Sequence, residues 1–102
     1  MAKFVYFYTG GQTALTPEAQ EQAMQAWGAW LASLGDAVTD MGSPFRAAAT
    51  VSSGGVAQGG ASKAGGYSVL TADSLDAAAA KAKGCPIIAR GGSVEVYEAV
   101  PV

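Results

Sequence analysis

Residues 65–96 read GGYSVLTADSLDAAAAKAKGCPIIARGGSVEV, and this stretch decides the fold. After the first glycine pair, a short run of aromatic and branched apolar residues predicts a strand over residues 67–72. Asp73 or Ser74 is placed to cap the helix that follows. A second glycine pair precedes residues 93–100, which predict a closing strand. The order of strand, capped helix and strand is typical of the second half of a βαββαβ domain.

The helix of this stretch is short and rich in alanine. Lys81 and Lys83 lie near its end, where positive charge complements the helix dipole. Gly84 followed by Pro86 predicts that the helix stops there. Apolar positions at helical spacing predict a buried face made of Leu75, Ala78, Ala79 and Ala82.

The N-terminal half begins with the same kind of elements. Residues 3–8 combine aromatic and β-branched side chains and predict a first strand with apolar residues on both faces. Thr16 followed by Pro17 predicts a helix start, and Gly35 predicts its end. Between them, one apolar stripe predicts the buried face, with the two tryptophans at the centre of the core: Ala19, Ala23, Met24, Trp27, Trp30, Leu31 and Leu34.

The middle of the chain gives weaker patterns. Residues 37–41 alternate enough to predict a second strand, which Gly42, Ser43 and Pro44 interrupt (residues 42–44). Residues 45–52 predict an irregular or edge strand. Residues 53–66 contain six glycines and predict a loop or hairpin. No linker composition appears, so the whole chain of 102 residues is predicted to form one domain.

Four strands and two helices in this order predict an α+β fold of the ferredoxin-like βαββαβ type, an antiparallel sheet with both helices on one face. The other sheet face is then left bare. Strands one and three nevertheless carry large apolar residues on both of their faces, and an exposed apolar patch of that size marks an interaction surface. Packing two sheets face to face across a two-fold axis buries it. We therefore expect a homodimer that forms a dimeric α/β barrel-like assembly.

The composition excludes several classes of protein. The net charge is −2 and the six Lys and Arg residues are scattered, which argues against binding to nucleic acid or to an anionic membrane. The chain has no histidine, and the lone Cys85 with dispersed carboxylates lacks any ligand spacing, so neither a metal nor a cofactor is expected. One cysteine cannot form an internal disulfide, and no signal-like or membrane-spanning run is seen. The cytoplasm is the expected location, with Cys85 buried.

These segments resemble the YCII-related family, including its DGPF-type members. The matching segments run in order along nearly the whole chain: the aromatic first strand with Gly10-Gly11, the helix with residues 26–30, Gly42-Ser43-Pro44, Gly66-Tyr67, residues 74–78, Gly84-Cys85-Pro86 and residues 91–96. The resemblance implies a ferredoxin-like fold that dimerises into a barrel-like sandwich. It also implies a cleft between sheet and helices or between subunits.

The resemblance implies less about activity. Relatives with a proposed activity, among them a dehydrochlorinase-like branch acting on chlorinated hydroquinones, rely on a histidine paired with an aspartate. This chain has no histidine, and Trp27 occupies roughly the helical region where that histidine is sought. Residues 58–61, Gln-Gly-Gly-Ala, stand where the Asp-Gly-Pro-Phe segment is expected.

Two carboxylates are the candidates for a catalytic base. Asp40 lies at the end of strand two, where burial can raise the pKa of its carboxyl or where it simply hydrogen-bonds the following turn. Glu95 lies in mid-strand among valines. On a face that meets a partner, its carboxylate needs a pairing group such as Arg46 or Arg90, whereas at a solvated edge it needs none.

The candidates for ligand binding are four tyrosines and two polar residues: Tyr6, Tyr8, Tyr67, Tyr97, Ser43 and Arg46. Aromatic walls with a few polar tips are typical of small-molecule clefts, although packing at a subunit interface also explains the tyrosines. The leading hypothesis is a homodimeric small-molecule-binding protein without catalysis. The alternative is an enzyme of lyase or cofactor-independent oxygenase type, acting on small cyclic or aromatic molecules with a carboxylate base in place of histidine.

Overall fold

The computed structural model describes residues 2–11, 16–61 and 63–101. The elements in chain order are β1 (Ala2–Thr9), α1 (Pro17–Leu34), a 3₁₀ turn (Gly35–Ala37), β2 (Val38–Pro44), β3 (Ala49–Ser52), β4 (Gly55–Gln58), β5 (Ala64–Ala72), α2 (Leu75–Ala82), α3 (Pro86–Ala89) and β6 (Ser93–Ala99). Four strands form one antiparallel sheet in the order β2-β5-β1-β6, and β3 pairs with β4 in a separate hairpin. The predicted α+β class with an antiparallel sheet is therefore confirmed.

Strand alternation divides β1 between the two faces of the sheet. Phe4, Tyr6 and Tyr8 are buried, while Val5 and Phe7 between them are only partly buried. On β5 the buried positions are likewise every second residue, so the two central strands turn one continuous apolar face toward the helices. The core lies on this helix-covered face.

Of the two tryptophans predicted at the centre of the core, Trp30 lies there. Its ring stacks on Tyr6 with centroids 6.0 Å apart and meets Tyr8 edge-on at 6.2 Å. Its indole Nε1 donates a hydrogen bond of 3.2 Å to the Lys81 carbonyl oxygen, which ties α1 to α2. Trp27 lies beside it at 5.7 Å and remains half-buried.

Both predicted helices begin with a side-chain N-cap. The Thr16 hydroxyl accepts a hydrogen bond of 3.1 Å from the Ala19 N–H, with Pro17 in the first turn. Of the two residues considered for α2, Ser74 is the cap, and its hydroxyl accepts from the Ala77 N–H at 3.1 Å. These bonds satisfy backbone donors that have no partner inside the helix.

Two of the predicted helix faces need correction. Met24 is 74% exposed, because at 3.6 residues per turn it lies well away from the centre of the α1 stripe. On α2, Ala78 and Ala82 are buried as predicted, but Leu75 and Ala79 are exposed. The helix is held in this rotation because the Tyr6 hydroxyl donates to the Ala78 carbonyl oxygen while the Trp30 indole donates to the next turn.

The prediction of only two helices is wrong, since Pro86 opens a further short helix, α3. Proline suits this position because the first helical N–H has no partner within the helix. Ile87 of α3 packs against the core, and the helix contacts α1 and β6. It therefore lies on the same side of the sheet as α1 and α2. Among the described residues, no helix covers the opposite face.

Strand β2 runs to Pro44, beyond the break predicted at Gly42. The register of β2 against β5 shifts on both sides of Asp40, so the strand bulges there instead of ending. Gly42 has a φ of +77°, and a Cβ at this position would lie 1.6 Å from the Tyr67 carbonyl oxygen. Only glycine allows the two backbones to approach so closely.

The glycine-rich region is a hairpin at its N-terminal end. Residues 49–52 pair with residues 55–58, and Val51 lies directly opposite Val56. The irregular strand predicted over residues 45–52 is thus a regular strand only from Ala49. Ser62 of the predicted loop lies outside the described residues, and β5 already begins at Ala64.

Candidate groove on the open sheet face

The sheet face opposite the helices carries a set of large, partly exposed side chains, and we call it the open face. The register places Phe7 opposite Glu95 and Val5 opposite both Val69 and Tyr97, so these residues share one side of the sheet. Apolar and aromatic groups dominate this side, although it lacks a helical cover. The open face is made of Val5, Phe7, Tyr67, Val69, Glu95 and Tyr97.

A groove of about 470 Å³ runs between the open face and the β3–β4 hairpin. Phe7 and Tyr97 form part of its floor, with ring centroids 5.6 Å apart in an edge-to-face contact. Phe45 lies at its side and stacks on Tyr67 at 5.7 Å. The lining of the groove is completed by Ala48, Ala49, Thr50, Val51, Gly60, Ala61, Lys63 and Ala64.

Few polar groups face this groove. The Tyr97 hydroxyl donates a hydrogen bond of 3.1 Å to Oε1 of Glu95, two residues earlier on β6. Lys63 supplies the one cation among the lining residues that the structure describes, and its backbone has a φ of +56°, a conformation that favours glycine. An apolar floor with a tyrosine hydroxyl, a threonine and an ammonium group suits a small, mainly apolar molecule.

Tyr6 and Tyr8 lie on the other face of the sheet, among the helices. The Tyr6 hydroxyl donates to the Ala78 carbonyl oxygen, and the Tyr8 hydroxyl donates to Oγ of Ser68 at 2.7 Å. Ser68 in turn donates to the Met41 carbonyl oxygen at 2.7 Å, which ties β1, β5 and β2 together. The structure therefore places these two tyrosines apart from Tyr67 and Tyr97.

Burial raises the pKa of both core tyrosines. The pKa of Tyr6 rises to about 12, first because burial disfavours the phenolate and second because of the nearby Cys85. The pKa of Tyr8 also rises to about 12 through burial, although its hydrogen bond with Ser68 acts in the opposite direction. At neutral pH both hydroxyls are protonated and act as structural donors.

The candidate residues on β2 and after it do not enter the groove. Oδ1 of Asp40 accepts a hydrogen bond of 2.8 Å from the Gly42 N–H, so this carboxylate holds the bulge. Ser43 is paired with Tyr67 and exposed, and Arg46 is exposed as well. Of the eight candidate residues, Tyr97 lines the groove, and Glu95 is hydrogen-bonded to Tyr97 without itself being a lining residue.

Cys85 is buried against the aromatic core and is 2% exposed. Burial raises the pKa of its thiol to about 11, and a backbone hydrogen bond at Ile87 opposes this shift only in part. The thiolate needed for nucleophilic chemistry is therefore scarce at neutral pH.

The raised pKa values of Cys85, Tyr6 and Tyr8 predict a loss of stability in alkali. In the unfolded chain these groups ionise near 9.0 and 10.0, whereas in the folded chain they keep their protons up to about 11 and 12. Between pH 9 and 12 the unfolded state therefore binds fewer protons, and the free energy of unfolding falls as pH rises.

Thermal denaturation at a series of pH values measures this effect. The melting temperature should begin to fall above about pH 9, and Cys85→Ala should delay the onset until the tyrosines ionise near pH 10. A melting temperature that stays constant from pH 9 to 12 would contradict the burial of these groups.

Of the groove residues, the sequence predicted Tyr97; the larger side chains that it missed are Phe7, Phe45 and Lys63. The alternation of the first strand predicts that Phe7 lies on one of its two apolar faces. The same pattern does not predict which of these faces the helices cover. Phe45 and Lys63 flank the hairpin, and the close approach of the two hairpin ends has no local sequence signal. Glu95 and Tyr97 were identified by residue type, and the register of β6 places them together.

Within the described ranges, no group of three or more metal-ligating side chains comes together. No described helix is long and apolar enough to cross a membrane. Comparisons with family models, with curated proteins and with solved structures gave no match to the chain.

Proposed function

We propose that the chain is a homodimeric small-molecule-binding domain of the YCII-related kind. The observation that carries this proposal is the open face: a four-stranded sheet with apolar side chains on both sides and helices on only one. A second copy packed face to face buries that surface, and the groove beside it provides room for a ligand. A cytoplasmic location accords with the single, buried cysteine.

The strand order supports a ferredoxin-like arrangement. Helix α1 connects β1 to β2, helix α2 with α3 connects β5 to β6, and β5 lies between β1 and β2 in the sheet. With the small hairpin set aside, these elements follow the βαββαβ order with interleaved βαβ units. Two such sheets facing each other form the barrel-like sandwich proposed here.

The size and lining of the groove support a small-molecule ligand. Its volume of about 470 Å³ lies within the range of roughly 300–1,000 Å³ that is usual for ligand sites. The aromatic rings of Phe7, Phe45 and Tyr97 provide flat apolar contacts, and Lys63 can pair with an anionic substituent. The groove is open to solvent in the single chain, so a partner subunit is needed to enclose it.

One observation favours a second candidate function, an enzyme of lyase or cofactor-independent oxygenase type. Glu95 is half-buried on the open face and accepts a hydrogen bond from Tyr97, which lines the groove. This carboxylate is therefore the group best placed to act as a base on a bound cyclic or aromatic molecule. Asp40 is less suited to that role because the bulge of β2 already uses it.

A thermal-shift screen of small cyclic and aromatic compounds tests ligand binding. At a hundredfold excess over its dissociation constant, a ligand should stabilise the protein by about 2.7 kcal/mol, which is a shift of several degrees. The stabilisation should be lost in Tyr97→Ala and kept in Leu75→Ala. These residues are a matched pair because they are 48% and 49% exposed on opposite sides of the sheet.

The outcomes of this screen separate the candidate functions. A screen without any stabilising compound, or stabilisation that survives Tyr97→Ala, would overturn the proposed groove site. Conversion of a stabilising compound by the unmodified protein would favour the enzyme over the binding protein.

A further inference from the structure

The β3–β4 hairpin, called the arm from here on, carries an exposed apolar patch. Val51 and Val56 are direct cross-strand partners, and each is 74% exposed. Directly opposed residues on antiparallel strands point to the same side, so the two valines form one patch, with Ala49 two residues further along the strand. In the single chain this patch is therefore apolar surface that faces solvent.

The arm projects from the body of the domain. It belongs to neither edge of the four-stranded sheet. Two further hydrogen bonds join its own two strands at the open end: the Gly59 N–H donates to the Ala48 carbonyl oxygen at 2.8 Å, and the Thr50 hydroxyl donates to the Gly59 carbonyl oxygen at 2.7 Å. The radius of gyration is 14.7 Å, against about 13 Å for a compact chain of this length. A two-stranded hairpin is marginally stable in water unless something packs on it.

The arm lies beside the open face, across the groove from it. Phe45, just before the arm, stacks on Tyr67 of the open face. Val51 of the arm lines the groove between the arm and the open face. A stable interface usually buries about 800 Å² on each partner. The exposed apolar side chains of the arm add to the area that the open face can bury.

The chemistry of the arm favours a second copy of this chain as its partner. The ten residues of the arm contain no charged side chain, so nothing there matches a phosphate backbone, a lipid headgroup or a charged peptide. The open face lies next to the arm and is mainly apolar, with Glu95 as the charged residue among the six that define it. A two-fold axis that joins two open faces brings each arm against the other protomer.

We infer that the arm is a clasp for the second copy: in the proposed dimer, the Val51–Val56 side of each arm packs on the partner. This inference rests on the homodimer of the proposed function. It extends that proposal because the groove lies between the arm and the open face. The partner subunit that the arm contacts then encloses the groove, so the small-molecule site is complete only in the dimer.

Two neighbouring substitutions on β4 test the clasp. Val56→Glu places a carboxylate in the proposed contact, whereas Ala57→Glu places the same charge on the opposite side of the arm. Both residues are exposed in the single chain, so neither change should unfold it. In sedimentation equilibrium, Val56→Glu should raise the dimer dissociation constant about tenfold or more, and Ala57→Glu by less than about threefold.

The outcomes distinguish the clasp from the dimer itself. A dimeric unmodified protein with equal effects of the two substitutions would overturn the clasp and leave the dimer in place. A monomeric unmodified protein would overturn the dimer and the clasp together. Should Val56→Glu fail to fold by circular dichroism, Val51→Glu on the facing strand tests the same patch by the same criterion.

Discussion

Replacing Trp30 with alanine is expected to lower the free energy of unfolding by about 3–5 kcal/mol. The ring is 7% exposed, stacks on Tyr6 and contacts Tyr8, so its loss leaves a cavity at the centre of the core. The Lys81 carbonyl oxygen also loses its indole donor. A domain of this size is stable by only about 5–15 kcal/mol, so the variant should lose a large share of its stability and unfold at a clearly lower urea concentration.

Urea denaturation followed by far-ultraviolet circular dichroism, at one protein concentration, measures this effect. Met24→Ala on the same helix is the matched control, because Met24 is 74% exposed, and its cost should stay within about 0.5 kcal/mol. A cost for Trp30→Ala below about 1 kcal/mol would contradict the described packing of α1 on the sheet.

Replacing Val69 with lysine is expected to dissociate the dimer while the folded chain survives. Val69 lies on the open face of the central strand β5, so a face-to-face dimer buries it. A buried ammonium group without a partner costs several kcal/mol, which raises the dissociation constant by about a hundredfold or more. Within a single chain Val69 is only partly buried, so the new ammonium group can reach water and the folded chain survives.

Sedimentation velocity on the variant measures its mass, and circular dichroism verifies its fold. Ala79→Lys is the control, because it adds the same charge at an exposed position of α2 on the helix-covered side. Ala79→Lys should remain dimeric. A Val69→Lys variant that stays dimeric at the same concentration would show that the open face is not the interface.

Much of the fold follows from local sequence signals. Thr16 caps α1 as predicted, and Ser74, one of the two residues predicted for α2, caps that helix, since an N-cap hydroxyl acts within one turn of its own position. Alternation likewise predicts which residues of β1 share a face. These features depend on neighbours in sequence, which is why they can be predicted without the tertiary structure.

The features that were missed depend on long-range contacts. The rotation of α2 is set by Tyr6 and Trp30, which lie far from it in sequence, so Leu75 was wrongly placed in the core. The bulge at Gly42 reflects the approach of β5, and Pro86 opens a helix because Ile87 finds a place on the core. None of these contacts has a local signature.

The candidate site was predictable by residue type but not by arrangement. All four tyrosines were singled out together, yet their positions on alternate faces separate Tyr6 and Tyr8 from Tyr67 and Tyr97. The groove also depends on where the arm lies beside the sheet, which the glycine pattern does not predict. Knowing which sheet face the helices cover is the information that the sequence lacked.

Sedimentation equilibrium of the unmodified chain tests most directly whether a second copy covers the apolar sheet face. At micromolar concentration the measured mass should be twice the chain mass of 10.2 kDa. A mass equal to that of one chain under these conditions would leave Val5, Phe7, Val69 and Tyr97 facing water, and the proposed dimer with its enclosed groove would have to be abandoned.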